Sequence, residues 1–266
     1  MKVTVVSHKR CWQDPQGRWV TNGGFPAQME AIGSLFDALT LIVFQGEPQA
    51  GGAPLPAEAQ VIALPDLAGA DGTRKKTLLA RLPAYGSRIA GLIRAADVVH
   101  APLPGDIPLL GFFAALSQRK HILARYCAAW ESGSNTSLSR RLTKGLLHRT
   151  AGGRRVVLAT GLGAAPPAEN IHWIFSTAVR QADLERFRPS VDSPPQQPLR
   201  VASAGRLIPE KGFSELIHAA GLLARDGIRL EVTIIGDGPQ REALETLARQ
   251  EQVPVRFSGQ MAQADV

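Results

Sequence analysis

The sequence predicts an α/β protein made of two Rossmann-like, doubly wound domains, the second of them incomplete. Three observations predict it. Short runs of β-branched and aliphatic residues alternate with stretches of helical periodicity, the pattern of repeated βα units around a parallel sheet. A polar, proline-rich run, Asp192-Ser193-Pro194-Pro195-Gln196-Gln197-Pro198, separates a long first part from a short second one. Prolines resist both helix and central strand, and the polar remainder has nothing to bury. Beyond that run only three strands are expected before Val266, enough for a mononucleotide-binding half but too few for a full domain. The expected organisation is therefore a first domain at 1–191, a linker at 192–198 and a partial ligand-binding domain at 199–266.

The elements follow in order. Residues 3–7 read as a strand and 24–36 as a helix. Residues 39–44 and 60–64 read as strands, separated by a proline- and glycine-rich loop at 46–56. A second loop is expected at 67–73, then a helix at 75–96 and a short strand at 97–100. Residues 109–116 are helical, 121–125 a strand, 138–148 a basic helix and 155–158 a strand. In the second part the strand 199–204 leads to a helix at 213–224. A strand ending at Ile235, another helix and a strand at 255–258 complete it.

Composition narrows the class. With 44% hydrophobic and 20% charged residues, the 266-residue chain reads as globular rather than disordered. Its first residues read as a strand and lack the apolar region and cleavage site of a signal peptide. The apolar run 107–116 is too short to span a bilayer. Cys11 and Cys127 give neither a disulfide framework nor a metal spacing, which suits cytosolic thiols. A cytoplasmic location is expected.

Charge is uneven. Residues 1–198 hold 22 Lys and Arg against 14 Asp and Glu; residues 199–266 hold 8 against 9. Much of the excess lies in Arg140, Arg141, Lys144, Arg149, Arg154 and Arg155, with no acid between Glu131 and Glu169. Such a patch suits an anionic membrane surface, or is a solvated face. No recognition motif or interleaved aromatics accompany it, so nucleic acid is not an expected partner.

The densest chemistry lies in Gly205-Arg206-Leu207-Ile208-Pro209-Glu210-Lys211-Gly212, at the carboxyl end of a strand and the start of a helix. Open parallel sheets bind ligands at such ends, and helix amino termini attract phosphate. Arg206 offers a planar fork and Lys211 a mobile point charge. Together they suit a diphosphate leaving with developing negative charge. Glu210 reads as a helix-start or ion-pair residue rather than a catalyst. The alternative is a solvent-facing Arg and Lys on a loop.

This segment, with Ile235-Gly236-Asp237-Gly238-Pro239 and Val255-Arg256-Phe257-Ser258-Gly259 after it, resembles the donor domain of family-4 glycosyltransferases. The resemblance is strong over 199–266 and looser over 1–189. It implies the GT-B fold and transfer of a hexose from a nucleotide-sugar, with retention of configuration, to a glycan or lipid-linked acceptor. Such transfer serves cell-envelope or exopolysaccharide synthesis. It implies Arg206 and Lys211 as the groups that bind and stabilise the leaving diphosphate, with Gly205 beside them. Gln260 and Met261 match a segment whose backbone brackets the nucleotide base. Gly23 and Gly24 resemble the amino-terminal glycine loop that faces the donor, an ordinary turn being the alternative. Trp12 and Trp19, between the first strand and that turn, suit sugar faces or core anchors. His100, at the end of its strand, either contacts substrate or closes the sheet. Relatives place a histidine on the following strand, where this chain has Arg125 and Tyr126, so these two become acceptor-side candidates.

Two departures carry expectations of their own. No Asp-x-Asp motif is present, so no obligatory metal or cofactor is expected. The acidic Glu-x7-Glu motif of the family does not occur before Val266, so the chain is expected to end inside its donor domain. The alternative function is a non-catalytic nucleotide-binding protein or an inactive fragment.

Overall fold

In the computed structural model of the chain, residues 1–49, 52–66, 71–130, 137–161, 163–175, 184–185 and 198–261 are described, with the backbone alone at 71–80. The chain forms two compact units, Met1–Arg180 and Gln181–Val266. Most of the expected linker, residues 192–197, lies outside the described residues.

The first unit is organised around β1 (Lys2–Gln13). Its Val3 and Val5 face one side of the sheet and Val6 the other, as a period of two requires. On one flank β1 pairs in parallel with β3 (Ala38–Gln45), which pairs with β5 (Gln60–Leu64). On the other flank stand β6 (Val98–Leu103), β7 (His121–Ala129), β8 (Arg155–Thr160) and β9 (Ile171–Ile174). The parallel order is thus β5-β3-β1-β6-β7-β8-β9. The chain winds outward from β1, then returns to wind outward the other way. Such a reversal opens a crevice at the carboxyl ends of the two central strands, here β1 and β6.

Helices cover both faces. Leu39, Leu41 and Val43 pack on one side with Met29 of α1 (Phe25–Gly33). Ile42 and Phe44 pack on the other with Ile89 of α2 (Asp71–Leu92), Phe112 of α3 (Asp106–Ser117) and Leu147 of α4 (Leu138–Thr150). Each fully buried side chain of this size contributes about 1.5–3 kcal/mol. Gly111 sets how closely α3 approaches: a Cβ there would lie 2.7 Å from Cβ of Val6.

Three expectations change. The first strand continues to Gln13 and forms a hairpin with β2 (Trp19–Thr21), itself paired with β4 (Ala53–Pro54), where loops were expected. The tryptophans of this hairpin are core anchors: Trp12 is 3% exposed and Trp19 packs on the α1-side core. Residues 71–73 are helical rather than loop, because α2 starts at Asp71. β9 was not expected at all; its four residues follow Pro166-Pro167, and so short a run between turn residues reads as loop.

The second unit is a βαβαβ run. β10 (Leu199–Ala204), β11 (Leu230–Ile235) and β12 (Val255–Gly259) lie in that order, all parallel. Between them run α5 (Phe213–Arg225) and α6 (Arg241–Gln250). Phe213 and Ile217 meet Val232, Ile234, Leu244 and Ala248 in one core. Glu251 ties the helices together, accepting hydrogen bonds from Arg225 Nη2 at 2.5 Å and His218 Nδ1 at 3.0 Å. Gly221 makes room for that carboxylate, since a Cβ there would lie 2.7 Å from Glu251 Oε2.

Candidate functional site

The ends of the three parallel strands in the second unit are joined by backbone hydrogen bonds. Gly205 N–H donates to the Ile235 carbonyl at 2.9 Å, and Gly236 N–H to the Gly259 carbonyl at 2.8 Å. Leu207 N–H donates to the Asp237 carbonyl at 3.0 Å, and its own carbonyl accepts from Gln240 at 3.1 Å. Leu207 is fully buried. The loop 205–212 is therefore anchored by an apolar plug and by its neighbour loop, and its charged residues project from a rigid base.

Glycines make this base possible. Gly236 has φ +133°, and a Cβ there would lie 1.9 Å from the Gly205 carbonyl oxygen. At Gly238 it would lie 2.6 Å from the Leu207 carbonyl. Gly212 adopts φ 68°, in the left-handed region, as it turns the chain into α5. The Gly236-Asp237-Gly238 turn is thus the seat of the loop that carries Arg206.

Arg206 and Lys211 are both exposed. Among the described residues, neither cation has a hydrogen-bond or ion-pair partner. Gly205 lies beneath them, its missing side chain bordered by the Phe213 ring at 3.5 Å and Lys211 Cδ at 3.9 Å. A strand end with two free cations above close-packed backbone favours a polyanion. The amino terminus of α5 has an anion of its own. Hydrogen bonding from its own backbone amide, and then from the Ser214 hydroxyl, holds the Glu215 carboxyl below the usual range. Glu210 forms part of a short 3-10 turn ahead of α5. Gln260 and Met261 are exposed and follow directly on Gly259, at the same sheet edge.

The first unit brings a different set together. Gly23 has φ +78° and Gly24 is the N-cap of α1. Arg125 reaches this helix: its Nη1 donates to Gln28 Oε1 at 3.0 Å, while its Nε is buried without a partner. The other two acceptor-side candidates lie inside the unit. His100 is 1% exposed, and its Nδ1–H donates to the Leu123 carbonyl at 2.8 Å. Burial, and then the nearby Arg125 charge, push its pKa down to about 4. Tyr126 is fully buried among the core of the α3 and α4 face. Its ring meets Trp130 edge-on at 5.1 Å, with the Lys144 ammonium 5.6 Å above it. Strand parity separates Arg125 from Tyr126: Arg125 shares the α1 face with Leu123, and Tyr126 points the opposite way.

Two groups at these edges escaped the sequence reading. One is Glu215, visible only as an acid in a first helical turn. The other is Lys9, whose place depends on an irregularity in β1 between Val6 and Arg10.

Comparison with known proteins adds to this geometry. Residues 185–266 match the family model described as glycosyl transferases group 1. WcaL of Escherichia coli (strain K12), whose name assigns it to colanic acid biosynthesis as a glycosyltransferase, is 35% identical over 71 residues. That match covers 27% of this chain and 18% of the relative, so it spans less than a fifth of the relative's length. Among solved structures, WaaG, a glycosyltransferase of lipopolysaccharide biosynthesis, superposes with TM-score 0.52 at 12% identity, covering 98% of this chain and 70% of its own. A Rickettsia africae glycosyltransferase gives 0.53 at 12%, covering 98% and 68%. MurG of Acinetobacter baumannii gives 0.51 at 14%, covering 97% and 67%. These similarities assign the chain the GT-B fold.

Proposed function

We propose that this chain, a GT-B-fold protein whose residues 185–266 belong to the group 1 glycosyl transferases, moves a hexose from a nucleotide-sugar to a glycan or lipid-linked acceptor. The observation that carries the reading is the pair of cations, Arg206 and Lys211, without a partner among the described residues, on a loop seated against Gly236 and Gly238. A departing nucleoside diphosphate gains negative charge as the glycosidic bond lengthens. Preorganised cations that meet this charge stabilise the transition state more than the ground state, worth roughly 3–4 kcal/mol for one well-placed group. In this reading Gly205 gives the phosphates access to backbone, and Gln260 and Met261 border the base. The product retains its configuration, with the leaving phosphate assisting the incoming hydroxyl.

The relatives named for lipopolysaccharide and colanic acid synthesis favour a cell-envelope or exopolysaccharide acceptor. No helix among the described residues is long and apolar enough to cross a membrane. We infer peripheral association at the cytoplasmic membrane face through α4. Its exposed Leu138 and Leu142 lie one turn apart, beside exposed Arg140 and Arg141. The whole basic run is not one patch. Lys144 turns inward to donate to the Trp130 carbonyl, and Arg155 donates to the Thr150 carbonyl at the far end of the helix.

The test is a thermal-shift and turnover screen of UDP-, GDP- and ADP-sugars. One base class should raise the melting temperature and, with a suitable acceptor, release its nucleoside diphosphate. Stabilisation without release of nucleotide would favour the non-catalytic binding reading. No stabilisation by any of the three would overturn the proposal.

A further inference from the structure

The amino edge of the first unit's sheet gathers cations that the proposed reaction does not use. Arg119 and Lys120 precede β7, and Arg154 and Arg155 stand where β8 begins. Together with Leu116 they line one cavity of about 420 Å³. A neighbouring hollow of about 500 Å³ shares Arg119 and Lys120. Among the described residues no acid lines the first cavity. The second contains Asp97, whose carboxylate already accepts from the Lys2 amide at 2.7 Å. This edge lies opposite the crevice formed at the carboxyl ends of β1 and β6.

Part of the arrangement is structural. α3, α4 and the 3-10 turn after α2 all end at this edge, and free carbonyls at helix ends attract cations. Lys120 Nζ donates to the Arg94 carbonyl at 2.6 Å, and Arg154 Nη1 to the Arg119 carbonyl at 3.2 Å. Arg155 Nε donates to the Thr150 carbonyl. These carbonyls orient three cations but carry no net charge. Among the described residues none of the four cations has an ion-pair partner. Like charges held around one cavity repel one another, and a polyanion relieves that repulsion.

The helix ends do not explain Arg119. α3 closes in a Schellman motif: Lys120 N–H donates to the Ala115 carbonyl at 3.0 Å and Arg119 N–H to the Leu116 carbonyl at 3.1 Å. Arg119 therefore takes φ 53°, in the left-handed region where glycine is the usual residue. An arginine there costs the fold stability. Its exposed guanidinium has no partner among the described residues. An unfavourable residue beside a cation-lined cavity is placed for a ligand rather than for the fold.

We propose that this edge is an anion site for inorganic pyrophosphate or a longer inorganic oligophosphate, held by Arg119, Lys120, Arg154 and Arg155. Four cations match the several charges of such a chain, and arginine forks bind phosphate oxygens in pairs. Lined by cations and one leucine, the cavity offers a nucleobase little to stack on. The site rests on nothing in the transferase reading.

The test uses the 266-residue chain carrying R206A and K211A, so that the cation pair of the second unit is gone. Pyrophosphate is titrated calorimetrically in moderate salt. Saturable binding should weaken about ten- to hundredfold in R119G and in R154M, and R119K should keep most of it. Circular dichroism checks that each variant is folded. R119G should also raise the melting temperature of the first unit by about 2–4 °C, because glycine suits the left-handed position. Weaker binding by a more stable protein separates a lost ligand contact from a damaged fold. UDP in the same background should bind no more tightly than pyrophosphate. Absent saturable binding, or binding indifferent to R119G and R154M, would overturn the site and leave the cations to the helix ends. UDP binding tighter than pyrophosphate would overturn the choice of an inorganic chain.

Discussion

The Cα of Gly236 faces the carbonyl oxygen of Gly205 so closely that a Cβ on Gly236 would lie 1.9 Å from it. This contact fixes the loop bearing Arg206 to the turn after β11. Gly236 also has φ +133°, a region that only glycine occupies without strain. G236A should therefore lose stability through overpacking and backbone strain, each about 1–3 kcal/mol. Urea unfolding of the second unit's signal should shift accordingly, and nucleotide binding should weaken in the same variant. An unchanged midpoint would show that the two loops separate easily.

Glu215 gives a prediction in pH. Its carboxyl is held below the usual range by its own amide and then by Ser214. A carboxylate lowered on folding contributes stability above its unfolded pKa and loses it as pH falls through the folded value. E215Q should thus be less stable than the parent at neutral pH, with the difference vanishing in acid. Because the carboxylate occupies the amino terminus of α5, E215Q should also bind nucleoside diphosphates more tightly. Denaturation at several pH values, with calorimetry at neutral pH, checks both; weaker diphosphate binding would contradict the competition.

His100 gives a second. It is buried and neutral, with a pKa of about 4, whereas the unfolded chain takes up a proton near 6.5. Between those values the unfolded state binds more protons, so stability falls as pH falls. The slope from this group is at most about 1.4 kcal/mol per pH unit. H100N should flatten the acid limb of the stability curve. An acid limb identical in parent and variant would place the titration elsewhere.

Gly111 tests the packing of the first unit. Its missing Cβ would meet Val6 at 2.7 Å, across the contact between α3 and the central strand. G111A should lower stability by about 1–3 kcal/mol. Melting curves read it, and a neutral result would mean that α3 slides without loss.

The alternation of strands and helices was legible because each element has its own local period. Even β10 and α5 could be bounded within a residue or so. The placement of Arg206 and Lys211 between a strand end and a helix start was legible for the same reason, since strand, loop and helix follow one another directly. What escaped depends on partners remote in sequence. Lys9 reaches the glycine turn only through an irregularity in β1. Trp12 is buried because β1 continues into a hairpin, and hairpin pairing cannot be read from a run of mixed polarity. His100 and Tyr126 were expected at strand ends but lie inside strands that run on to Leu103 and Ala129, and their burial depends on which face carries a helix. The packing role of Gly236 and Gly238 is not readable from the turn itself, because the backbone pressed against them lies about thirty residues earlier.

The most direct test of the central claim is the affinity of the stabilising nucleoside diphosphate for the parent, R206A and K211A, measured calorimetrically in one buffer. Each substitution should weaken binding by about 1–3 kcal/mol, the worth of a charge-assisted contact. The ligand-free melting temperature should stay the same, because neither cation has a partner among the described residues. Equal affinity in all three proteins would contradict the account.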